Sequence, residues 1–306
     1  VLRQVLLAAS RSGGVRHAVE SAPFSRGMVR RFIAGETVDD ALQVTRRLTG
    51  EGLNVTIDHL GEDTTDAAQA EAVVEGYLTL LDRLAAAGHG PRAEVSVKLS
   101  AVGQALDEDM AVDNARRICA AAKAAGTTVT LDMEDHTTVE STLRILAELR
   151  RDHPETGAVI QSYLRRAEEY CAGLAYEGSR VRLCKGAYAA PDDVAYTSKA
   201  EIDRSYVRCM KVLFAGEGYP MLATHDPRLI EIAGALAVFH DRAPSSFEYQ
   251  MLYGIRPAEQ RRLTGLGAQV RVYVPYGREW YGYAMRRMAE RPANLAFVLR
   301  SLATRS

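Results

Sequence analysis

Short β-branched runs recur along the chain, each followed by a longer stretch whose apolar positions repeat at helical spacing. Strands are expected near Leu53–Asp58, Glu94–Leu99, Thr128–Asp132, Ala158–Gln161, Arg180–Cys184, Pro220–Ala223, Phe247–Met251 and Val270–Val274. Between them the spacing predicts helices over Ala67–Ala87, Met110–Ala125, Thr138–Arg150, Arg165–Tyr176, Lys199–Phe214, Pro227–Phe239 and Pro257–Leu263. Gly90-Pro91, Gly126 and Gly178 punctuate this pattern as helix stops should. Eight strands alternating with helices predict an α/β fold, a distorted (βα)8 TIM-type barrel, for which about 250 residues is typical. A doubly wound open sheet is the competitor, but the first strand runs into Asp58-His59-Leu60-Gly61-Glu62 rather than a GxGxxG turn. The first fifty residues fall outside the repeat. They read as two or three helices, broken at Gly13-Gly14 and Ser21-Ala22-Pro23, with Glu36–Gly50 leading into the first strand. The expected organisation is an N-terminal helical cap over 1–50 and one barrel over 51–306.

Composition narrows the picture. The 306 residues, 47% hydrophobic, suffice for one large core, and 38 basic against 39 acidic residues create no global field for nucleic acid. Arg165-Arg166, Arg261-Arg262 and Arg286-Arg287 cluster locally without an aromatic stripe, so a nucleic-acid partner is not expected. Cys119, Cys171, Cys184 and Cys209 form no CxxC pair, which suits buried thiols in a reducing cytoplasm. No apolar run approaches a membrane span and no signal-peptide pattern is present, so a cytoplasmic protein is expected. A short amphipathic surface leaves little trace in composition, and peripheral contact with the inner face of the cell membrane stays open. The start at Val1 rather than Met leaves room for a processed N-terminus.

In a barrel, chemistry collects at the C-terminal ends of the strands. Those ends carry Lys98, then Asp132-Met133-Glu134-Asp135-His136, Gln161-Ser162-Tyr163, Arg182 with Lys185-Gly186-Ala187-Tyr188, Thr224-His225-Asp226, Glu248-Tyr249-Gln250 and Tyr273. A lysine inside a barrel strand is expensive to bury unpaired, which points to anion binding. Asp132 is its natural counter-ion, or that of Arg286 and Arg287; structural ion pairing explains it as well. Beyond the last strand, Tyr283 precedes Arg286-Arg287 on an expected helix. Two guanidinium groups match a carboxylate two donors at a time, with the tyrosine one turn back; a solvated surface pair is the bland alternative. Lys185-Gly186 at a strand end lets the backbone approach a phosphate or a flat ring. The His225-Asp226 pair is as consistent with a helix cap as with a ligand. Successive strand residues face opposite ways, so the acidic cluster after Thr128–Asp132 cannot converge as a whole, and no HxH or HExxH accompanies it; no metal is expected. GxSxG and GxxxxGK are also missing. An aldolase-type barrel with Lys98 or Lys185 as a Schiff-base amine, and a non-catalytic carboxylate-binding barrel, both remain open on these residues alone.

Taken in order, Ser96-Val97-Lys98-Leu99-Ser100-Ala101, Leu131-Asp132-Met133-Glu134, Val159-Ile160-Gln161, Val181-Arg182-Leu183-Cys184-Lys185-Gly186-Ala187-Tyr188, Ala223-Thr224-His225-Asp226, Phe247-Glu248-Tyr249-Gln250 and Tyr273 to Glu290 resemble the proline dehydrogenase family. The resemblance runs from about the first strand to near Ser301 and looks like the monofunctional bacterial form. It implies an FAD-dependent oxidation of L-proline to Δ1-pyrroline-5-carboxylate, the first step of proline catabolism, with electrons passed to a quinone-type acceptor. By position, Arg286, Arg287 and Lys98 would bind the proline carboxylate, and Asp132 would orient that set. Tyr188, Leu252, Tyr273 and Tyr283 would wall the ring. Gln161, Arg182, Lys185, Gly186, Ala187, Thr224, His225 and Glu290 would hold the flavin, with Arg182 near its isoalloxazine. Three cations near the substrate amine would lower its pKa. Ala189 stands where certain relatives carry an aromatic, and the turn after Glu290 differs from relatives with glycine there. Members that prefer hydroxyproline carry a smaller residue at the Tyr273 position, so tyrosine implies unsubstituted proline.

Overall fold

The computed structural model describes residues 31–61 and 64–283. Eight parallel strands alternate with helices: β1 (Asn54–His59), β2 (Ala93–Val97), β3 (Val129–Leu131), β4 (Ala158–Gln161), β5 (Arg180–Cys184), β6 (Tyr219–Ala223), β7 (Glu248–Leu252) and β8 (Val270–Tyr276). The hydrogen-bonded order is β3-β2-β1-β8-β7-β6-β5-β4. The ring is completed where Gly157, just before β4, donates to the Val129 carbonyl and accepts from the Leu131 amide. Gly157 is required there, because a Cβ would lie 2.5 Å from the Thr130 hydroxyl. The result is a nearly closed (βα)8 barrel.

Helix α1 (Val38–Gly50) precedes β1. The others are α2 (Ala67–Ala86), α3 (Glu108–Ala124), α4 (Val139–Leu149), α5 (Ala167–Leu174), α6 (Lys199–Ala215), α7 (Pro227–Phe239) and α8 (Pro257–Gly265). Each start follows from a capping side chain where one is supplied. Thr37 and Asp40 form a capping box on α1, and Asp66, Asp107, Ser198 and Asp226 accept from first-turn amides of α2, α3, α6 and α7. The Asp226 cap, with Pro227 behind it, decides that side chain's role in favour of helix initiation.

Strand alternation splits the barrel into two shells. Val55 and Ile57, Val95 and Val97, Val129 and Leu131, Val181 and Leu183, and Val272 and Val274 are all buried within the main apolar cluster, which also takes in buried residues of the helices. Their neighbours in sequence are polar and meet one another across the ring: Thr56, Glu94, Ser96, Arg182, Gln250 and Asp132 share hydrogen bonds. The α1 helix packs on β1 and β8, so it covers that seam of the barrel. No described helix is long and apolar enough to cross a membrane. Of the two or three helices expected over the first fifty residues, the segment Glu36–Gly50 carries α1, and any within 1–30 lie outside the described residues.

Strand ends differ from expectation in two informative places. β2 stops at Val97 because Lys98 and Leu99 turn into a short 3-10 segment over Ser100–Val102. β8 instead continues through Pro275 to Tyr276. Proline lacks an amide donor, but the Pro275 carbonyl still accepts from Ala34, and Leu60 donates to the Tyr276 carbonyl.

Candidate active site

The interior of the barrel is charged rather than aliphatic. Glu94 on β2 pairs with Arg180 and, at 3.4 Å, Arg182 on β5, and lies 3.7 Å from Arg271 on β8. Arg271 also pairs with Glu248 on β7 at 2.7 Å. Burial alone would raise the Glu94 carboxyl, but Arg180, Arg271 and Arg182 overcome it and hold it far below the usual range. Glu94 also accepts from Thr56 at 2.7 Å, so its remaining acceptor capacity is used by strand hydroxyls.

Arg182 links this floor to the mouth. Its Nε donates to Gln250 Oε1 at 2.6 Å, and Nη1 donates to Ser96 Oγ at 2.9 Å and to Asp132 Oδ1 at 2.7 Å. The guanidinium carbon sits 5.3 Å from the centroid of the Tyr273 ring. The Tyr273 hydroxyl donates to Asp132 Oδ2 at 2.7 Å. Burial, with Asp132 and Asp58 nearby, pushes that phenol well above its ordinary pKa, so it stays a donor. Both oxygens of Asp132 are therefore engaged, one by Arg182 and one by Tyr273.

Asp132 is thus mainly the partner of Arg182; Lys98 is 4.0 Å away. The closest described carboxylate to Lys98 is Asp58, at the end of β1, with Nζ to Oδ1 at 2.7 Å. Both residues are buried, Asp58 at 1% exposure and Lys98 at 8%. This changes the electrostatic expectation. Of the three cations expected to lower the pKa of a substrate amine, Lys98 faces a carboxylate and is compensated, while Arg286 and Arg287 lie outside the described residues.

Removing the Tyr273 hydroxyl tests this geometry. Tyr273→Phe leaves Asp132 Oδ2 without its donor, and hydrogen bonds to charged groups contribute about 1.5–3 kcal/mol. If that loss falls on the reaction, turnover of the substrate should drop by roughly one to two orders of magnitude. Steady-state kinetics of the variant check it.

On the β4–β6 side, Gln161 Nε2 donates to the Glu134 carbonyl at 2.8 Å. Glu134 itself holds Ser100 through both carboxylate oxygens, at 2.6 and 3.1 Å, and Asp135 caps the turn at Thr137. The acidic cluster after β3 therefore disperses into separate structural contacts. Among the described residues, no three His, Cys, Asp or Glu side chains group as metal ligands. Lys185 pairs with Asp203 at 2.5 Å and Asp226 at 3.4 Å. Gly186 has φ +92°, and a Cβ there would meet the Tyr163 ring at 2.2 Å, so only glycine fits. Ala187 is exposed and Tyr188 half-buried in the same loop. Thr224 accepts from the Asp226 amide at 3.1 Å, and His225 Nε2 accepts from the Leu252 amide at 2.9 Å. That last bond fixes the imidazole as the Nδ1–H tautomer when neutral. Tyr283 is buried and lines a half-open cavity of about 620 Å³ with His59, Leu60 and Arg278. Arg286, Arg287 and Glu290 lie outside the described residues.

Asp58, Glu94 and Arg271 were not singled out from the sequence. The signal was present as alternation: Thr56 and Asp58 on β1, Glu94 and Ser96 on β2, and Arg271 and Tyr273 on β8 share the inward parity of Arg182.

A parallel ring with strand-end cations, carboxylates and a tyrosine at one mouth defines a (βα)8-barrel enzyme. A family model described as proline dehydrogenase matches residues 41–300, and the chain belongs to that family. It is 40% identical over 273 residues to proline dehydrogenase 1 of Bacillus subtilis, spanning 89% of this chain and 90% of that one. It is also 40% identical over 282 residues to proline dehydrogenase of Deinococcus radiodurans, spanning 90% of each. Among solved structures, proline utilization A from Bdellovibrio bacteriovorus, inactivated by N-propargylglycine, superposes with a TM-score of 0.79 at 28% identity over 86% of this chain. The chain spans about a third of the length of that protein, 32%. The enzyme's activity is proline oxidation in proline catabolism.

Proposed function

We propose that this barrel oxidises L-proline to Δ1-pyrroline-5-carboxylate on bound FAD, with electrons passing on to a quinone-type acceptor. The observation that carries the reading is the buried Arg182–Asp132–Tyr273 unit, a fixed cation and an aromatic face at the barrel mouth. Bound FAD would supply the hydride acceptor. The donor set suits it: Arg182 and Lys185 offer positive charge, Gln161 an amide, and Gly186 a loop that approaches closely because it has no side chain. Ala187, Thr224, His225 and Glu290 complete the proposed cofactor residues.

Proline offers one charged handle and a saturated ring, so its site needs a carboxylate clamp and an apolar box. Arg286, Arg287 and Lys98 are the proposed clamp; Tyr188, Leu252, Tyr273 and Tyr283 the proposed walls. Orientation is the main contribution of such a site, because the reacting carbon must be held close to the acceptor atom. Arg182, already bonded on one side to Asp132, is placed to favour the negative charge that reduction creates. We also propose a cytoplasmic location with peripheral access to membrane quinone.

Kinetics with an artificial electron acceptor test the assignment. L-Proline should be consumed with a product two hydrogens lighter. Arg286→Met should raise KM with a smaller change in kcat, since half of a bidentate clamp is lost; about 1.5–3 kcal/mol, or roughly one to two orders of magnitude in kcat/KM, is expected. Wild-type kinetics in that variant would contradict the clamp.

A further inference from the structure

Asp58 carries an unused acceptor at the centre of this site. Its Oδ1 takes the Lys98 ammonium at 2.7 Å, while Oδ2 is buried without a hydrogen-bond partner among the described residues, the nearby Tyr273 hydroxyl being directed at Asp132. A buried carboxylate oxygen left in that state is costly, and proteins retain such atoms where a function uses them. The neighbouring carboxylate is the weaker candidate, because Arg182 and the Tyr273 hydroxyl already donate to one oxygen each of Asp132. We propose that Asp58 binds the substrate amine: Oδ2 accepts the amine N–H while Oδ1 holds Lys98 in place for the carboxylate.

The inference rests on the function proposed above, in which Lys98 contacts the proline carboxylate. The amine nitrogen is bonded to the carbon that bears that carboxylate. A ligand whose carboxylate reaches Lys98 therefore brings its amine N–H to the neighbourhood of the Lys98 partner, and Asp58 is that partner. The same carboxylate explains selectivity for an amino acid over a plain carboxylic acid. It neutralises Lys98, so a ligand without an amine gains little from that cation and offers nothing to Oδ2. The order of strands supports the geometry. β1, β2 and β8 are contiguous in the ring; Asp58 lies on β1, Tyr273 on β8, and Lys98 directly follows β2.

The test compares L-proline with tetrahydrofuran-2-carboxylate, its ring-oxygen counterpart, which keeps the carboxylate and ring but has no N–H. In Asp58→Asn, kcat/KM for L-proline should fall by roughly one to two orders of magnitude, the effect of losing a hydrogen bond to a charged group. The inhibition constant of tetrahydrofuran-2-carboxylate should stay the same or tighten, since Lys98 loses its counter-charge. Equal weakening of both ligands, or no change in either, overturns the proposal. Asp58→Glu preserves the ion pair with Lys98 and moves the carboxylate by one bond. If the asparagine variant does not fold, the glutamate variant should show the same split, and the same two outcomes overturn it. Wild-type protein that fails to oxidise proline contradicts the function proposed above. Equilibrium binding of the two ligands then decides the Asp58 assignment by the same criteria.

Discussion

Arg182→Met is expected to lower turnover of L-proline by about two to three orders of magnitude, the range found when one preorganised donor to developing charge is removed. The residue is 4% exposed and joins five partners: Gln250, Ser96, Asp132, Glu94 and Thr56. Burial works against its charge, yet Asp132 and Glu94 raise its pKa, so it is a permanent cation in a dry site. Under the proposed function the variant should also lower the reduction potential of bound flavin, since it would remove the positive charge proposed to lie near the reduced ring. Arg182→Lys separates the two contributions. It keeps the charge but loses the fork that spans Gln250 and Asp132, so it should restore the potential more than the rate. If Arg182→Met turns over proline at the wild-type rate, the cation has no part in the chemistry.

The second large effect is on stability. Glu94→Gln should destabilise the fold by about 3–5 kcal/mol, the cost of breaking a buried ion pair from one side. It leaves Arg180, Arg182 and Arg271 with only Glu248 and Asp132 as carboxylate partners among the described residues. The pH dependence has a definite sign. Glu94 has a folded pKa far below its unfolded one, so its contribution is present above the unfolded value near 4.5 and is lost as pH falls from there toward the folded pKa. Wild-type and variant stabilities should therefore converge in acid. Urea unfolding at pH 7 and at pH 4 and below measures both. A variant as stable as the wild type at pH 7 would show that the floor network is dispensable.

Much of the barrel was legible because its strands and helices announce themselves locally. β4 over Ala158–Gln161 and β5 over Arg180–Cys184 match expectation, bounded by Gly157 and Gly178 before and polar turns after. Boundaries failed where tertiary contacts overrode local grammar. Pro275 reads as a strand stop, yet its carbonyl is taken by Ala34 and the strand continues. Lys98 reads as a strand residue, yet the backbone turns there and the ammonium reaches across to β1.

The site was legible as a set of residues but not as a set of pairs. Lys98, Asp132, Arg182 and Tyr273 stand out because charge and phenol are expensive inside a strand. Which cation meets which carboxylate depends on ring order and register, which no local window contains. Asp132 and Arg182 are fifty positions apart, and Glu94 and Arg180 eighty-six. Asp58 escaped notice for a related reason. It ends a strand just before a loop, where an aspartate ordinarily suggests a turn, and only the position of Lys98 gives it another meaning.

The central claim is that this mouth oxidises proline on a bound flavin. It is tested most directly by the visible absorption of the purified protein under anaerobic conditions, before and after L-proline. The account predicts a flavin spectrum that bleaches on addition of the amino acid. A flavin that ignores proline, or a colourless protein that FAD cannot reconstitute, would contradict it.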